Sequence, residues 1–198
     1  MKIVQYPHPS LRHKTRPLTS IDNEVRKHAA EMLELMYTAR GVGLATNQVF
    51  LPYQMFVMNE TADAEQREHE RVFINPVVME RKGSIEGEEG CLSFPQLYQK
   101  VRRAKTVRVQ AYNLQGEQID LILEDMPSRV CQHEIDHLHG ELFIDKMGAI
   151  AKLACRSTLR QFERDFRKAQ QRGEIPPDAE LEKVLSSWSE ESNGAPLM

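Results

Sequence analysis

Two segments of the chain have the alternation of apolar and polar residues that is typical of amphipathic helices. In residues 20–40 the apolar side chains recur with a period of 3.6 residues and form a single stripe, which comprises Val25, Ala29, Met32, Leu33 and Met36. Gly41 can end this helix. In residues 126–139, Pro127 occupies the first helical position and Gly140 the position that ends a helix. The pattern therefore predicts a helix in each segment, the second of about four turns.

Two more helices are predicted in the C-terminal quarter. Residues 147–172 carry most basic residues on one side, and the apolar side is expected to consist of Ile150, Leu153, Leu159, Phe162, Phe166 and Ala169. Pro176 and Pro177 interrupt the chain, and Asp178 can cap a short helix. The apolar face of that helix is expected to consist of Leu181, Val184, Leu185 and Trp188. Residues 192–198 are predicted to be frayed.

The middle of the chain has the period of β-strands. Residues 54–59 and 71–78 are rich in β-branched and aromatic side chains, and the almost wholly polar stretch between them predicts a solvated loop. The clearest hairpin joins the alternating apolar positions of residues 107–111 and 119–123 through a turn that contains Gly116.

Length and composition narrow the class of protein. A chain of 198 residues is little more than one average domain, so we expect one core with appendages. With 40% apolar and 28% charged residues, wholesale disorder is not expected. No apolar run approaches the ~18 residues of a membrane span, and two prolines interrupt the first 14 residues, where a secretory signal needs an unbroken apolar stretch. We therefore expect a cytoplasmic protein that contacts no membrane.

The net charge of -3 is unevenly distributed. Residues 146–172 contain eight Lys or Arg residues and two acids, a net charge of +6, whereas residues 174–198 contain six acids and one base, a net charge of -5. Only the C-terminal quarter therefore suggests an electrostatic partner. No direct binding of DNA is expected.

The strongest chemical signal is the run from His133 to His137, which reads His-Glu-Ile-Asp-His. Histidines four residues apart project from the same side of a helix and can bind one metal ion, and Glu134 can then reach a water molecule on that ion. An ordinary helix would explain the same five residues. The apolar neighbours favour a metal, because buried histidines and a buried glutamate are costly without partners.

A third metal ligand is needed, and no histidine follows Gly140. Cys91, in the segment Glu-Gly-Cys-Leu-Ser, would complete a Cys/His/His set with one open position, which is typical of a catalytic site. A lone cysteine is otherwise often a small buried apolar residue. The other two cysteines, Cys131 and Cys155, are too few for a disulfide framework.

A glycine-rich segment, residues 41–48, reads Gly-Val-Gly-Leu-Ala-Thr-Asn-Gln. It lacks the third glycine of a dinucleotide loop and the Lys-Ser/Thr of a phosphate loop. Its small residues permit the close approach of another backbone, and Gln48 offers an amide donor to a carbonyl group.

These three segments, in this order and at these separations, resemble the motifs of peptide deformylases over about residues 1–145. The resemblance implies an α+β fold, with antiparallel or mixed sheets around a central metal-binding helix. It also implies hydrolytic removal of the formyl group from the N-terminal formylmethionine of nascent polypeptides. Residues 1–148 would then form the catalytic domain, followed by a basic helix over 149–173 and an acidic tail over 174–198.

The resemblance also assigns roles to single residues. It makes Cys91, His133 and His137 the metal ligands and Glu134 the acid and base, with Gln48 and the Leu92 backbone N–H as donors to the oxyanion. The expected substrate contacts are Val42, Gly43 and Gly90, with Met126 and Val130 as walls of the methionine pocket or as ordinary core residues. Glu89 and Asp136 can orient the ligands, with Arg103 paired to Glu89, or they can be surface charges. The chain departs from the family's usual residues at Thr46, Gly87 and Tyr98.

The cofactor and the partner are also expectations at this point. The mixed thiolate and imidazole set suits Fe(II), Zn(II), Ni(II) or Co(II), and the family resemblance favours Fe(II). Basic helices in some bacterial members dock on the ribosome, and residues 149–172 are similar in charge, although a merely solvated face would look the same. The alternative functions are a zinc peptidase and an inactive homologue that acts as a binding protein.

Overall fold

The computed structural model describes residues 1–190, and this part of the chain contains five α-helices and seven strands. The helices are α1 (Asn23–Thr38), α2 (Asp125–Leu138), α3 (Phe143–Lys146), α4 (Ala149–Gln171) and α5 (Asp178–Glu190). The strands are β1 (Gly43–Ala45), β2 (Met55–Met58), β3 (Arg71–Lys82), β4 (Ile85–Cys91), β5 (Phe94–Arg103), β6 (Thr106–Tyr112) and β7 (Gln118–Glu124). The fold is α+β, which confirms the expectation from the family resemblance.

The strands form two antiparallel sheets. The larger has the order β1-β2-β3-β6-β7, and the smaller is the β4-β5 hairpin. In β6, alternate residues Val107, Val109 and Ala111 are buried, which is the period-2 pattern that the sequence shows. One face of the larger sheet is therefore apolar and needs a covering element.

Helix α2 supplies that cover. Its apolar side packs into the same core as the sheet through Val130, Cys131, Ile135 and Leu138. Ten of its 14 residues are buried, including both histidines of the metal motif. The helix that carries the candidate chemistry therefore lies in the centre of the molecule.

The predicted apolar side of α4 is wrong in part. Ile150 is 88% exposed and Leu153 is 70% exposed. The buried or partly buried stripe consists of Ala151, Cys155, Leu159, Phe162 and Phe166, which pack toward β5 and the N-terminal segment. Leu159, Phe162 and Phe166 are thus on the packed side as predicted, and the error is confined to the start of the helix, where Ala151 and Cys155 take the places expected for Ile150 and Leu153.

The predicted apolar face of helix α5 is correct at three of its four residues. Helix α5 buries Leu181, Leu185 and Trp188 as predicted, but Val184 is 42% exposed, because it lies off the i, i+4, i+7 line of the other three.

The β4-β5 hairpin was not predicted, since β4 is polar and contains two glycines. Residues 192–198 lie outside the described part of the chain. In that described part, no helix is both long and apolar enough to cross a membrane.

Candidate active site

The three predicted ligands meet at one point in the structure. Helix α2 presents His133 and His137 on one face, with ring centroids 5.0 Å apart. Cys91 ends β4, and its Sγ lies 3.3 Å from Nε2 of His137. The ligand atoms of all three side chains lie within 4.8 Å of one another. A helix and a hairpin that are distant in sequence thus supply one cluster.

A local irregularity in the hairpin places Cys91. The pairing of β4 with β5 is regular up to Gly90, which lies opposite Tyr98, and then shifts so that Cys91 lies opposite Phe94. The two residues between them, Leu92 and Ser93, form the turn. Such a shift breaks the regular alternation of side-chain directions along a strand. Here the residue at the shift is Cys91, and its thiol lies beside helix α2.

The cluster fits a divalent metal ion. Tetrahedral coordination by sulfur and nitrogen separates two donor atoms by about 3.5 Å, close to the 3.3 Å between Cys91 and His137. Burial opposes a positive charge on His133, but hydrogen bonds with Cys91 and Glu89 outweigh it and raise its pKa to about 10. Burial lowers the pKa of His137 well below its usual range, so this imidazole is neutral, as a metal ligand must be.

Glu89 holds the first histidine in orientation. Its Oε2 lies 3.1 Å from Nδ1 of His133, which leaves Nε2 for the cluster. Arg103 and Arg129 donate to the same carboxylate, with bonds of 2.6–2.9 Å. Burial would raise the pKa of Glu89, but the hydrogen bonds from Arg103 and His133 outweigh it and lower it well below its usual range. Glu89 is therefore an anion within the protein, and the expected pair with Arg103 is present.

Asp136 connects the same network to the outer side of α2. Its carboxylate accepts a hydrogen bond from Arg103 and lies 3.6 Å from Nζ of Lys146. Arg103 thus bridges Glu89 and Asp136, and its own pKa is raised, because the two carboxylates outweigh its burial. Neither acid is a free surface charge, and the bridge fixes α2 against β5.

Glu134 faces the cavity beside the cluster. It is 4% exposed, and burial raises its pKa to about 7. A Cβ at Gly43 would lie 2.5 Å from its Oε1, so only a glycine in β1 leaves room for this carboxylate. Its Oε2 is buried without a hydrogen-bond partner. A carboxylate in this state can accept and return a proton near neutral pH.

Gln48 points its amide nitrogen toward the cluster. The backbone N–H of Ala45 donates to its Oε1 at 2.8 Å, and this bond fixes which end of the amide faces outward. Its Nε2 donates to Oγ of Ser93 at 3.2 Å and lies 3.5 Å from Sγ of Cys91. The amide is therefore a preorganised donor beside the candidate metal site.

A cavity of about 660 Å³ opens onto this group. The predicted site residues that line it are Val42, Gly43, Gln48, Gly90, Cys91, Leu92, Met126, Val130, His133 and Glu134. His137, the third member of the cluster, is 1% exposed and is not a lining residue of the cavity. Met126 is 48% exposed at the cavity, whereas Val130 is 4% exposed and also packs in the core. The walls are thus partly apolar, as a pocket for an unbranched apolar side chain requires.

Arg129 is a cavity residue that the sequence analysis missed. Its guanidinium donates to the backbone carbonyls of Ile85, Gly87 and Val101 as well as to Glu89. A Cβ at Gly87 would lie 2.8 Å from its Nη2, so the glycine makes room for the arginine. One feature of the sequence could have indicated it: Arg129 lies four residues before His133 and therefore on the same side of helix α2.

Comparison with known proteins gives a consistent result. The family described as "Polypeptide deformylase" matches residues 1–152. A peptide deformylase of Rhodopirellula baltica is 42% identical over 188 residues, which cover 95% of this chain and 93% of the relative. Crystal structures of the family are similar as well. A peptide deformylase from Plasmodium falciparum has a TM-score of 0.82 and 38% identity, over 84% of this chain and 98% of that one. Peptide deformylase 1B of Arabidopsis thaliana, in complex with an inhibitor, has a TM-score of 0.82 and 33% identity, over 90% of this chain and 97% of that one.

Proposed function

The chain belongs to the peptide deformylase family, whose enzymes remove the N-terminal formyl group of nascent polypeptides, and we propose that the residues around the cavity carry out this reaction on formylmethionine. The observation that carries the proposal is the convergence of Cys91, His133 and His137, with Glu134 and Gln48 beside them. The comparisons do not favour the two alternatives, a zinc peptidase or an inactive homologue. We assign the reaction to residues 1–148 and place it in the cytoplasm, where nascent chains emerge.

The family implies a divalent metal, and Cys91, His133 and His137 would hold it. We propose Fe(II) for this ion; the same mixed set of a thiolate and two imidazoles also suits Zn(II), Ni(II) or Co(II). When bound, such an ion polarises the formyl carbonyl and lowers the pKa of a water molecule. The remaining steps fall to side chains of the protein.

Glu134 is the proton carrier in this proposal. Its carboxylate accepts a proton from the water that attacks the formyl carbon, and it then gives this proton to the nitrogen of the leaving amine. The Nε2–H of Gln48 and the backbone N–H of Leu92 donate to the negative charge that develops on the formyl oxygen. Removing one donor of this kind typically lowers kcat 10²–10³-fold.

The cavity walls bind the substrate. Gly43, after Val42, begins β1, and Gly90 is the penultimate residue of β4. Their backbones offer hydrogen bonds to a peptide that lies between them in an extended form. Met126 and Val130 contact the methionine side chain. Because the formyl carbon carries only a hydrogen atom, a tight site excludes acetylated chains by size.

The test is an assay on two peptides. The protein, loaded with Fe(II) under anaerobic conditions, is given formyl-Met-Ala-Ser and, separately, an internal peptide with blocked ends. We expect formate release from the first and no cleavage of the second. Internal cleavage would indicate a peptidase, and no turnover of either peptide would indicate an inactive homologue.

We further propose that α4 contacts ribosomal RNA. Five exposed basic residues recur every fourth position along about 24 Å of the helix, namely Lys152, Arg156, Arg160, Arg164 and Lys168. The apolar stripe of α4 packs toward β5, and all five basic residues lie outside that stripe and are exposed. A continuous row of cations of this length is suited to the phosphates of a nucleic-acid backbone.

A charge-matched pair of variants tests this contact. In the full chain, Arg156→Gln, Arg160→Gln and Arg164→Gln combined should lower co-sedimentation with ribosomes and its dependence on salt. The control combines Lys27→Gln, Lys82→Gln and Lys105→Gln on other elements and should bind as the unchanged protein does. Equal binding by both triple variants would show that α4 is only a solvated face.

A further inference from the structure

The turn that carries Gln48 ends in a residue with an unusual backbone conformation. Gln48 lies in one turn of 3-10 helix, Thr46–Val49, and Phe50 follows with φ of 59°, in the left-handed region that residues with a Cβ rarely adopt. This conformation lets the N–H of Leu51 donate back to the carbonyl of Thr46 at 3.0 Å and closes the turn. The position of Gln48 therefore depends on Phe50 staying in this conformation.

Aromatic rings from both ends of the chain hold Phe50. The ring centroid of Trp188 in α5 lies 5.2 Å from that of Phe50, and that of His8 lies 5.1 Å away. His8 in turn packs edge-on against Phe166 of α4, and Trp188 packs against His13. Such packing is what keeps a strained residue from relaxing.

Hydrogen bonds tie the turn to the same N-terminal segment. The hydroxyl of Ser10 donates to the carbonyl of Asn47 at 2.9 Å, and the N–H of Val4 donates to the carbonyl of Gln48 at 2.8 Å. The side-chain amide of Asn47 donates to the carbonyl of His137 at the end of α2. The turn is therefore fixed from the N-terminal segment and the metal-binding helix, and α5 packs on the outer side of that segment.

We propose that Trp188 is a positioning residue for deformylation: it holds Phe50 and thereby the turn that presents the Gln48 amide to the substrate. This inference rests on the proposed role of Gln48. Trp188 lies beyond residue 152, where the family match ends, and is 7% exposed in α5. The helix of the acidic tail thus acts on the reaction through the strained turn, without touching the substrate.

The test compares kcat and KM of full-length, metal-loaded variants on formyl-Met-Ala-Ser. Trp188→Ala should lower kcat about tenfold, less than the loss of a whole oxyanion donor, with KM within about twofold and the metal content unchanged. Trp188→Phe should restore most of kcat, since it keeps an aromatic ring. Val184→Ala, on the exposed side of the same helix, is the control and should leave kcat unchanged.

The same substitution in a Phe50→Gly protein distinguishes a positioning role of Trp188 from a role in stability alone. Glycine adopts the left-handed conformation without support, so in Phe50→Gly the additional change Trp188→Ala should alter kcat less than twofold. A purely structural role would lower Tm in both backgrounds and leave kcat per folded enzyme unchanged. Should Trp188→Ala fail to fold, Trp188→Leu gives the same comparison, because it keeps apolar volume at the site.

The outcomes distinguish this inference from the proposal on which it rests. If Gln48→Ala lowers kcat 10²–10³-fold while Trp188→Ala leaves it unchanged, the inference is wrong and the proposed role of Gln48 stands. If Gln48→Ala itself leaves kcat unchanged, the proposed role of Gln48 is wrong and the inference falls with it.

Discussion

Glu89 is the single residue that connects most of the site. It accepts hydrogen bonds from Arg103 and Arg129 and orients His133, and its carboxylate is almost wholly buried. Because two guanidinium groups share one anion, neutralising that anion leaves both without full compensation. A buried charge without a partner is costly, so stability and metal binding should both depend on this carboxylate.

We therefore predict that Glu89→Gln unfolds at lower urea concentration, with a loss of about 3–5 kcal/mol in the free energy of unfolding. Its metal affinity, measured by competition with a chelator, should fall about 10–100-fold, because His133 loses its orienting partner. The exposed Glu86 in the same strand provides a control, and Glu86→Gln should change neither quantity. Unaltered metal affinity in Glu89→Gln would show that the carboxylate does not orient the ligand.

The sequence predicts the ligands and the pair of Glu89 with Arg103, and it misses Arg129. His133 and His137 are predictable, since four residues on a helix fix their relative direction, and Cys91 follows from the need for a third ligand. Arg129 was missed because its partners are backbone carbonyls more than 25 residues away in sequence. No local pattern records which strand a helix will pack against.

The β4-β5 hairpin is the element that brings Cys91 to α2, and its Gly87 leaves room for the side chain of Arg129 on that helix. A Cβ at this residue would lie 2.8 Å from Nη2 of Arg129, whose guanidinium is held by four groups and cannot give way easily. We predict that Gly87→Ala destabilises the protein by about 1–3 kcal/mol and lowers metal retention, measured by thermal unfolding and elemental analysis.

Gly148 provides the matched control for this prediction. A Cβ there meets nothing within 4 Å, so Gly148→Ala should leave Tm and metal content unchanged. Equal behaviour of the two alanine variants would mean that the hairpin can shift without cost and that Arg129 does not fix it.

The elements differ in how well the sequence predicts them. Helices α1 and α2 and the β6-β7 hairpin lie where the pattern places them, because each buries one regular face. The pattern misses β4, in which Gly87 makes room for Arg129 and Glu89 binds His133, and at the start of α4 it assigns Ile150 and Leu153 to a buried side on which they do not lie. Helix α2 keeps its period because it buries a regular face as well as the ligands, whereas the polar strand β4 buries no such face and leaves no periodic signal.

At the scale of the whole molecule, the C-terminal helices close over the N-terminal segment, and His8 lies at this junction. It is 6% exposed, and burial lowers its pKa to about 4, although Asp178 opposes the shift. A histidine with a lowered pKa in the folded state stabilises the fold fully above the unfolded pKa of about 6.5. That contribution is lost as the pH falls from about 6.5 toward 4.

We predict that the free energy of unfolding falls more steeply over this range in the unchanged protein than in His8→Asn. The difference should reach roughly 3 kcal/mol near pH 4. Asparagine can still accept the hydrogen bond from the Ser10 N–H, so the turn is kept while the titrating group is removed. Urea unfolding at several pH values measures the two slopes, and parallel curves would mean that His8 does not titrate with folding.

The proposed hydrolysis of the formyl amide needs one bound metal ion and Glu134 together, and formate release by Glu134→Gln, with its metal content determined in the same sample, tests this directly. We expect this variant to retain the metal of the unchanged protein and to lose at least about 10³-fold in kcat, because the proton carrier is gone. Full metal content with a near-normal rate would show that Glu134 does not carry the proton.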